Sequence, residues 1–189
     1  MTKIISAPNP VLSQASKPYV FQKNDKFLPA FLKEMEKALL GASDPKGVGL
    51  AAPQIGKNFA IFIAKPTEKS KISVFINPQI IDSEQDSSQK LSKAKSASGG
   101  RVRKLEGCLS LPSIWGEVKR LPVVVLSYFD PRGVQRTKKF TGFMATIVQH
   151  EVDHLNGVLF PKRVLEQKGK LYKSTKNKKN EDEFEEISI

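Results

Sequence analysis

The chain has 189 residues, 39% of them hydrophobic, and a formal net charge of +12. That length supports one domain with a core of ordinary size, and no apolar run approaches the ~20 residues needed to cross a bilayer. The single cysteine excludes an internal disulfide. The start, Met1-Thr2-Lys3-Ile4-Ile5, lacks the charged-then-apolar build of a signal peptide, so a cytoplasmic location is expected.

Taken in chain order, Lys26 to Leu40 carries Phe27, Leu28, Phe31, Leu32, Met35, Leu39 and Leu40 at helical spacing. Asn24 or Asp25 is a suitable cap, Pro29 falls in the tolerant first turn, and Gly41 is a natural stop. A glycine-rich loop at Gly47–Gln54 leads to two short β-like runs, Phe59–Ala64 and Ile72–Asn77. Residues 82–104 then turn polar and rich in Ser and Lys, a composition that cannot bury enough apolar surface to order itself; a flexible surface insert is expected. Leu121–Phe129 and Val134–Phe140 flank Asp130-Pro131-Arg132-Gly133, whose Pro and Gly suit a type I turn, and the pair reads as a β-hairpin. A mostly apolar helix follows, Phe143–Leu155. From Glu166 the chain is a mixed Lys and Glu tract. The division expected is therefore one domain at 1–165 and a charged tail at 166–189, partly disordered.

The chemistry lies in that second helix. The only two histidines, His150 and His154, stand in the string His150-Glu151-Val152-Asp153-His154. Positions i and i+4 share one helical face, so both imidazoles can reach one metal ion, with Glu151 beside a metal-bound water. The extended zinc-peptidase pattern that places a third histidine after Gly157 fails, because Phe160 stands there. With no third histidine, the best soft ligand left is the sole cysteine, Cys108. One thiolate and two imidazoles accept Zn2+, Fe2+, Ni2+ or Co2+, and an open fourth position suits a catalytic site. Glu106 and Asp153 are either partners that orient these ligands or surface charges.

Three strings now stand together: Gly47-Val48-Gly49-Leu50-Ala51-Ala52-Pro53-Gln54, Glu106-Gly107-Cys108-Leu109-Ser110, and the histidine motif. In order and rough spacing they resemble peptide deformylases, over about Ile4 to Phe160. The resemblance implies an α+β fold of short antiparallel β-strands packed around a central metal-binding α-helix. It implies a substrate too: the N-formyl-methionyl start of a nascent peptide, from which the formyl group leaves as formate. Metal-bound hydroxide would attack the formyl carbon, with Glu151 as general base and then general acid. Gln54 and the backbone N–H of Leu109 carry over as donors to the oxyanion, and Gly49 as part of the wall along which the peptide lies. Gly107 would allow similar close approach beside the thiolate. The metal implied is Fe2+, with Zn2+, Ni2+ or Co2+ as replacements.

One position departs from the family. Many members carry an arginine seven residues beyond the cysteine, where it meets the substrate backbone; here it is Trp115, which can offer a flat apolar wall instead. Phe143 and Ile147 suit either a methionine pocket or plain core. The basic excess is spread over the chain, giving either a solvated surface or attraction to a polyanion such as the ribosome. No motif for specific DNA binding is present.

Overall fold

The computed structural model describes residues 2–43, 45–84, 105–177 and 181–188. Its elements are α1 (Phe27–Gly41), β1 (Gly49–Ala51), β2 (Ile61–Ala64), β3 (Ser73–Glu84), β4 (Glu106–Cys108), β5 (Leu111–Gly116), β6 (Val123–Phe129), β7 (Gln135–Thr141), α2 (Gly142–Leu155), α3 (Phe160–Glu166), β8 (Leu171–Lys176) and β9 (Asp182–Ile187). Two antiparallel sheets result, one ordered β1-β2-β3-β6-β7 and the other β4-β5-β8-β9. With three helices this is the expected α+β arrangement.

The reason for the layering is visible in β2, whose four residues Ile61-Phe62-Ile63-Ala64 are all fully buried. Alternate side chains of a strand point to opposite faces. Ile61 and Ile63 join Leu28, Phe31, Met35 and Leu39 of α1 in one core. Phe62 and Ala64 face the other way and join Ala145, Ile147 and Val148 of α2 in a second core. The sheet is thus sandwiched between α1 and α2 over β2, which is why its sequence is a continuous apolar run rather than an alternating one. Phe62 and Phe75 stack at 4.5 Å across the strand pair on the α2 side.

Helix α1 begins where Asp25 Oδ1 accepts from the backbone N–H groups of Phe27 and Leu28, at 2.9 and 3.1 Å. Of its expected apolar stripe, Phe27 and Leu40 instead face solvent, being the two ends of the face where the sheet no longer covers it. Strand β3 runs on past Asn77 to Glu84, although Pro78–Glu84 lacks a strand-like apolar pattern. It is held there by pairing with β6, with register shifts between Ile76 and Gln79 and between Ile80 and Asp82. The expected insert therefore starts inside β3, and its remainder, 85–104, lies outside the described residues.

The charged tail expected from Glu166 is corrected. Residues 166 and before close α3, and β8 and β9 then add to the second sheet, β8 pairing with β5. Leu171 and Tyr172 are buried there, and oppositely charged side chains meet across the pair, Lys170 with Glu186 at 2.6 Å and Lys176 with Asp182 at 2.8 Å. A mixed Lys and Glu composition that reads as solvated tail is here two strands of opposite charge facing each other.

The β6–β7 hairpin that leads into α2 is closed by Asp130. Its Oδ1 accepts from the N–H groups of Arg132 and Val134, and its Oδ2 pairs with Arg136 at 3.0 Å. Desolvation pushes this carboxyl up, but the Val134 N–H and the Arg136 guanidinium outweigh it and hold the pKa at about 2, below its ordinary 3.8. A depressed carboxylate contributes stability above its unfolded pKa and loses it as pH falls through the folded one. Asp130→Asn is therefore expected to be less stable than wild type at neutral pH. Denaturant titrations at successive pH values should show that gap closing as pH is lowered from 3.8 towards 2; a gap independent of pH would refute the assignment.

Candidate metal centre

Three soft or borderline donors converge on the seam between the two sheets. Cys108 ends β4, and His150 and His154 lie one turn apart on α2. Their ligand atoms all lie within 4.8 Å of one another, and Cys108 Sγ is 3.1 Å from His154 Nε2. Cys108 and His154 are buried. Among the described residues, this is the one such grouping of His, Cys, Asp and Glu. Thiolate and imidazole at this spacing make a chemically sound set for a first-row divalent ion.

Each ligand is held by a neighbour. Glu106 Oε1 accepts from His150 Nδ1 at 2.7 Å, so the other ring nitrogen, Nε2, faces the cluster. The N–H of Ser110 lies 3.4 Å from Cys108 Sγ. Gln54 Oε1 accepts from the Ala51 N–H at 2.8 Å, which turns the amide so that Nε2 lies 3.5 Å from the sulfur and 3.2 Å from Ser110 Oγ. Leu109 is half-buried, with its side chain packed on the α1 core. Phe143 is exposed and Ile147 is buried in the α2 core.

Beneath the ligands runs a buried chain of charges. Arg120 binds Glu106 with two nitrogens, Nε at 2.9 Å and Nη2 at 2.7 Å, and reaches Asp153 Oδ2 with Nη1 at 2.6 Å. Arg163 of α3 closes on the same Asp153 at 2.6 Å. Both alternatives left open for Glu106 and Asp153 thus resolve the same way: they are partners in the site. Arg120 was missed by sequence reading. Its only signal is a cation directly before the apolar Leu121-Pro122-Val123 run, which exposed lysines elsewhere in the chain imitate.

The electrostatics follow from burial. Burial alone would lower His150, but hydrogen bonds to Cys108 and Glu106 hold it well above the ordinary imidazole value. His154 is pushed well below it by burial and by His150. Burial raises Glu151 to about 7, the attraction of His150 opposing the shift. Glu151 Oε2 is fully buried and has no hydrogen-bond partner among the described residues, and the same holds for His154 Nδ1. The site therefore combines a donor trio of the kind that holds a divalent ion with a carboxyl group whose pKa burial raises towards neutrality.

The two glycines expected to make room for substrate also make room for protein. A Cβ on Gly49 would collide with Glu151 Oε1 and lie 2.8 Å from its Cδ and 3.0 Å from Ile147 Cγ2. A Cβ on Gly107 would lie 2.8 Å from the Trp115 ring. Trp115 itself turns to β8 and β9, donating from Nε1 to Ser174 Oγ at 3.1 Å.

An α+β domain with a Cys-His-His cluster that could hold a metal, and a buried glutamate between the two histidines, is an arrangement of the hydrolase type. The sequence profile described as polypeptide deformylase matches residues 1–170. A curated relative, the peptide deformylase of Brucella suis, is 38% identical over 160 residues, covering 83% of this chain and 81% of its own. The crystal structure of peptide deformylase from Thermotoga maritima superposes with a TM-score of 0.68 at 31% identity, over 86% of this chain and 97% of that one. A peptide deformylase from Synechococcus elongatus, solved in complex with actinonin, also gives 0.68 at 31% identity, over 86% and 78%. The chain belongs to the polypeptide deformylase family, enzymes that remove N-formyl groups from nascent peptides.

Two measurements probe this geometry. Arg120→Met strips Glu106 of its guanidinium and leaves Asp153 with Arg163 alone, and is expected to cost roughly 3–5 kcal/mol in denaturant unfolding. Arg163→Met, on a more exposed side chain, should cost about 1 kcal/mol or less; equal costs would contradict the assignment of the buried link to Arg120. Gly49→Ala should keep the fold yet displace the Glu151 carboxylate. Turnover is expected to fall about 100-fold, the scale of a 1 Å misplacement in an active site, and an unchanged rate would show that Glu151 is not held in place by the missing Cβ.

Proposed function

We propose that this protein removes the formyl group from the N-terminal formyl-methionine of newly synthesised proteins in the cytoplasm, releasing formate and a free amino terminus. The observation that carries the reading is Glu151: a buried carboxyl with pKa about 7 and an unpartnered oxygen, standing between the two histidines of a soft donor trio. Such a group has little structural use and a clear chemical one.

In this reading Cys108, His150 and His154 hold one divalent ion, Fe2+ in the cell, for which Zn2+, Ni2+ or Co2+ can substitute. When bound, the ion supplies Lewis acidity, lowering the pKa of water and polarising the formyl oxygen. The remaining work belongs to the chain. Glu106, by accepting from His150 Nδ1, fixes the tautomer that presents Nε2 to the ion. Glu151 accepts the proton of the attacking water at its carboxylate and returns it to the methionine nitrogen as the C–N bond breaks. A pKa near neutrality suits both directions of that transfer. Gln54 Nε2 and the Leu109 N–H donate to the formyl oxygen as negative charge develops on it. The backbone at Gly49 and Gly107 borders the extended peptide.

The partners follow from the same reading. N-formyl-methionyl nascent peptides are the substrates, and the net charge of +12 favours a diffuse attraction to the ribosome surface. No helix among the described residues is long and apolar enough to cross a membrane.

The test is formate release from formyl-Met-Ala-Ser by anaerobically prepared, Fe2+-loaded protein, beside Glu151→Ala. Wild type should release formate and leave an unformylated internal peptide bond intact. The variant should still bind metal while its rate falls by about 10²–10⁴-fold, the contribution of a positioned acid–base group. A folded, metal-loaded wild type that releases no formate would overturn the proposal.

A further inference from the structure

The family profile ends at residue 170, and β8 and β9 lie beyond it. They nevertheless belong to the sheet that carries the cysteine ligand. Strand β4 pairs with β5, placing Gly107 opposite Trp115. Strand β5 pairs in turn with β8, placing Trp115 opposite Tyr172, and β8 with β9. Side chains follow the same line on one face of this sheet. The Trp115 ring covers Gly107 so closely that a Cβ there would be 2.8 Å from two of its atoms. On its far side the indole donates to Ser174 Oγ at 3.1 Å and meets Phe184 edge-on, with centroids 5.8 Å apart at 89°. On the opposite face, Leu171 and Ile187 pack into the apolar cluster that contains Cys108, Phe160 and Val164.

We infer that the β8–β9 pair is a clamp that sets the position of Cys108, with Trp115 as the positioning residue that connects the two. Cys108 sits at the end of a three-residue strand, and among the described residues β5 is the one strand paired with it. So short a strand has little pairing of its own to resist tilting, and its register already shifts between Gly107 and Cys108. A rigid ring seated on Gly107 and fastened at its other edge to Ser174 and Phe184 blocks that tilt. The sulfur and the Leu109 N–H are thereby held together, since both follow Gly107 directly. This also accounts for the departure at position 115. The residue that stands where many family members carry a substrate-facing arginine is turned to β8 and β9 and supports the ligand strand. The inference rests on the proposed metal site, but its readout is metal retention and not deformylation.

The experiment uses the full chain loaded with Co2+, whose absorption reports thiolate ligation and coordination geometry. Trp115→Ala and Phe184→Ala are compared with Trp115→Phe, which keeps a ring on Gly107, and with Asp130→Asn, which weakens the fold far from the cluster. Trp115→Ala should release Co2+ to a chelator about 10-fold faster, the scale seen when a ligand loses its support. Its cobalt spectrum should change, and kcat should fall with KM little altered. Phe184→Ala should move the same way to a smaller extent, Trp115→Phe should recover most of the loss, and Asp130→Asn should release cobalt at the wild-type rate. Unchanged cobalt release and spectrum in both alanine variants would overturn the clamp and leave the pair as added stability alone. A raised KM with metal retention intact would also overturn it, placing Trp115 against substrate. Because formate release by wild type is measured separately, failure of the clamp is distinguishable from failure of the function.

Discussion

The structure depends on one buried cation, Arg120. The cysteine and the two histidines belong to different layers: Cys108 to the four-stranded sheet and His150 and His154 to the helix on the five-stranded one. Apolar packing between such layers sets their distance but resists sliding weakly, because dispersion has little directionality. Arg120 supplies the direction. Its planar fork takes both oxygens of Glu106, the first residue of the cysteine strand, and its remaining nitrogen takes Asp153 on the histidine helix. Burying these charges is costly, and the arrangement survives because each guanidinium nitrogen of Arg120 and each carboxylate oxygen of Glu106 and Asp153 is bonded. Lysine would provide the charge without the fork. The hydrogen bond that Glu106 accepts from His150 Nδ1 then carries the same alignment into the candidate ligand itself.

Much of this site was legible in the sequence, and the reason is local geometry. His150, Glu151 and His154 stand on one helical turn, where spacing alone fixes which side chains share a face. The apolar run at β2 was legible for a similar reason, since a strand buried on both faces needs a continuous hydrophobic sequence. What could not be read depends on contacts between distant segments. Arg120 lies 33 residues from Asp153 in sequence, and nothing within its own window separates it from a solvated lysine. The β8–β9 pair reads as tail because its stabilisation comes from Lys opposite Glu on the partner strand and from Leu171, Tyr172, Phe184 and Ile187, apolar positions too sparse to make a pattern. Strand β1 hid inside a glycine-rich motif of three buried residues, shorter than any period can reveal.

Position 49 shows why a residue can be required for two reasons at once. The resemblance gives Gly49 the task of letting a peptide approach, and the structure adds that its missing Cβ is the space occupied by the Glu151 carboxylate. The two uses are connected. A carboxyl group pressed against a bare strand is stripped of water on that side, and burial as a whole is the largest influence raising its pKa to about 7. A side chain on β1 there would collide with the Glu151 carboxylate and displace it from its present place. In the proposed function, the glycine that would expose the backbone to a ligand is also the one whose missing Cβ leaves room for the neighbouring acid. In this fold the absence of one carbon atom both leaves the edge strand bare and gives the proposed base its place.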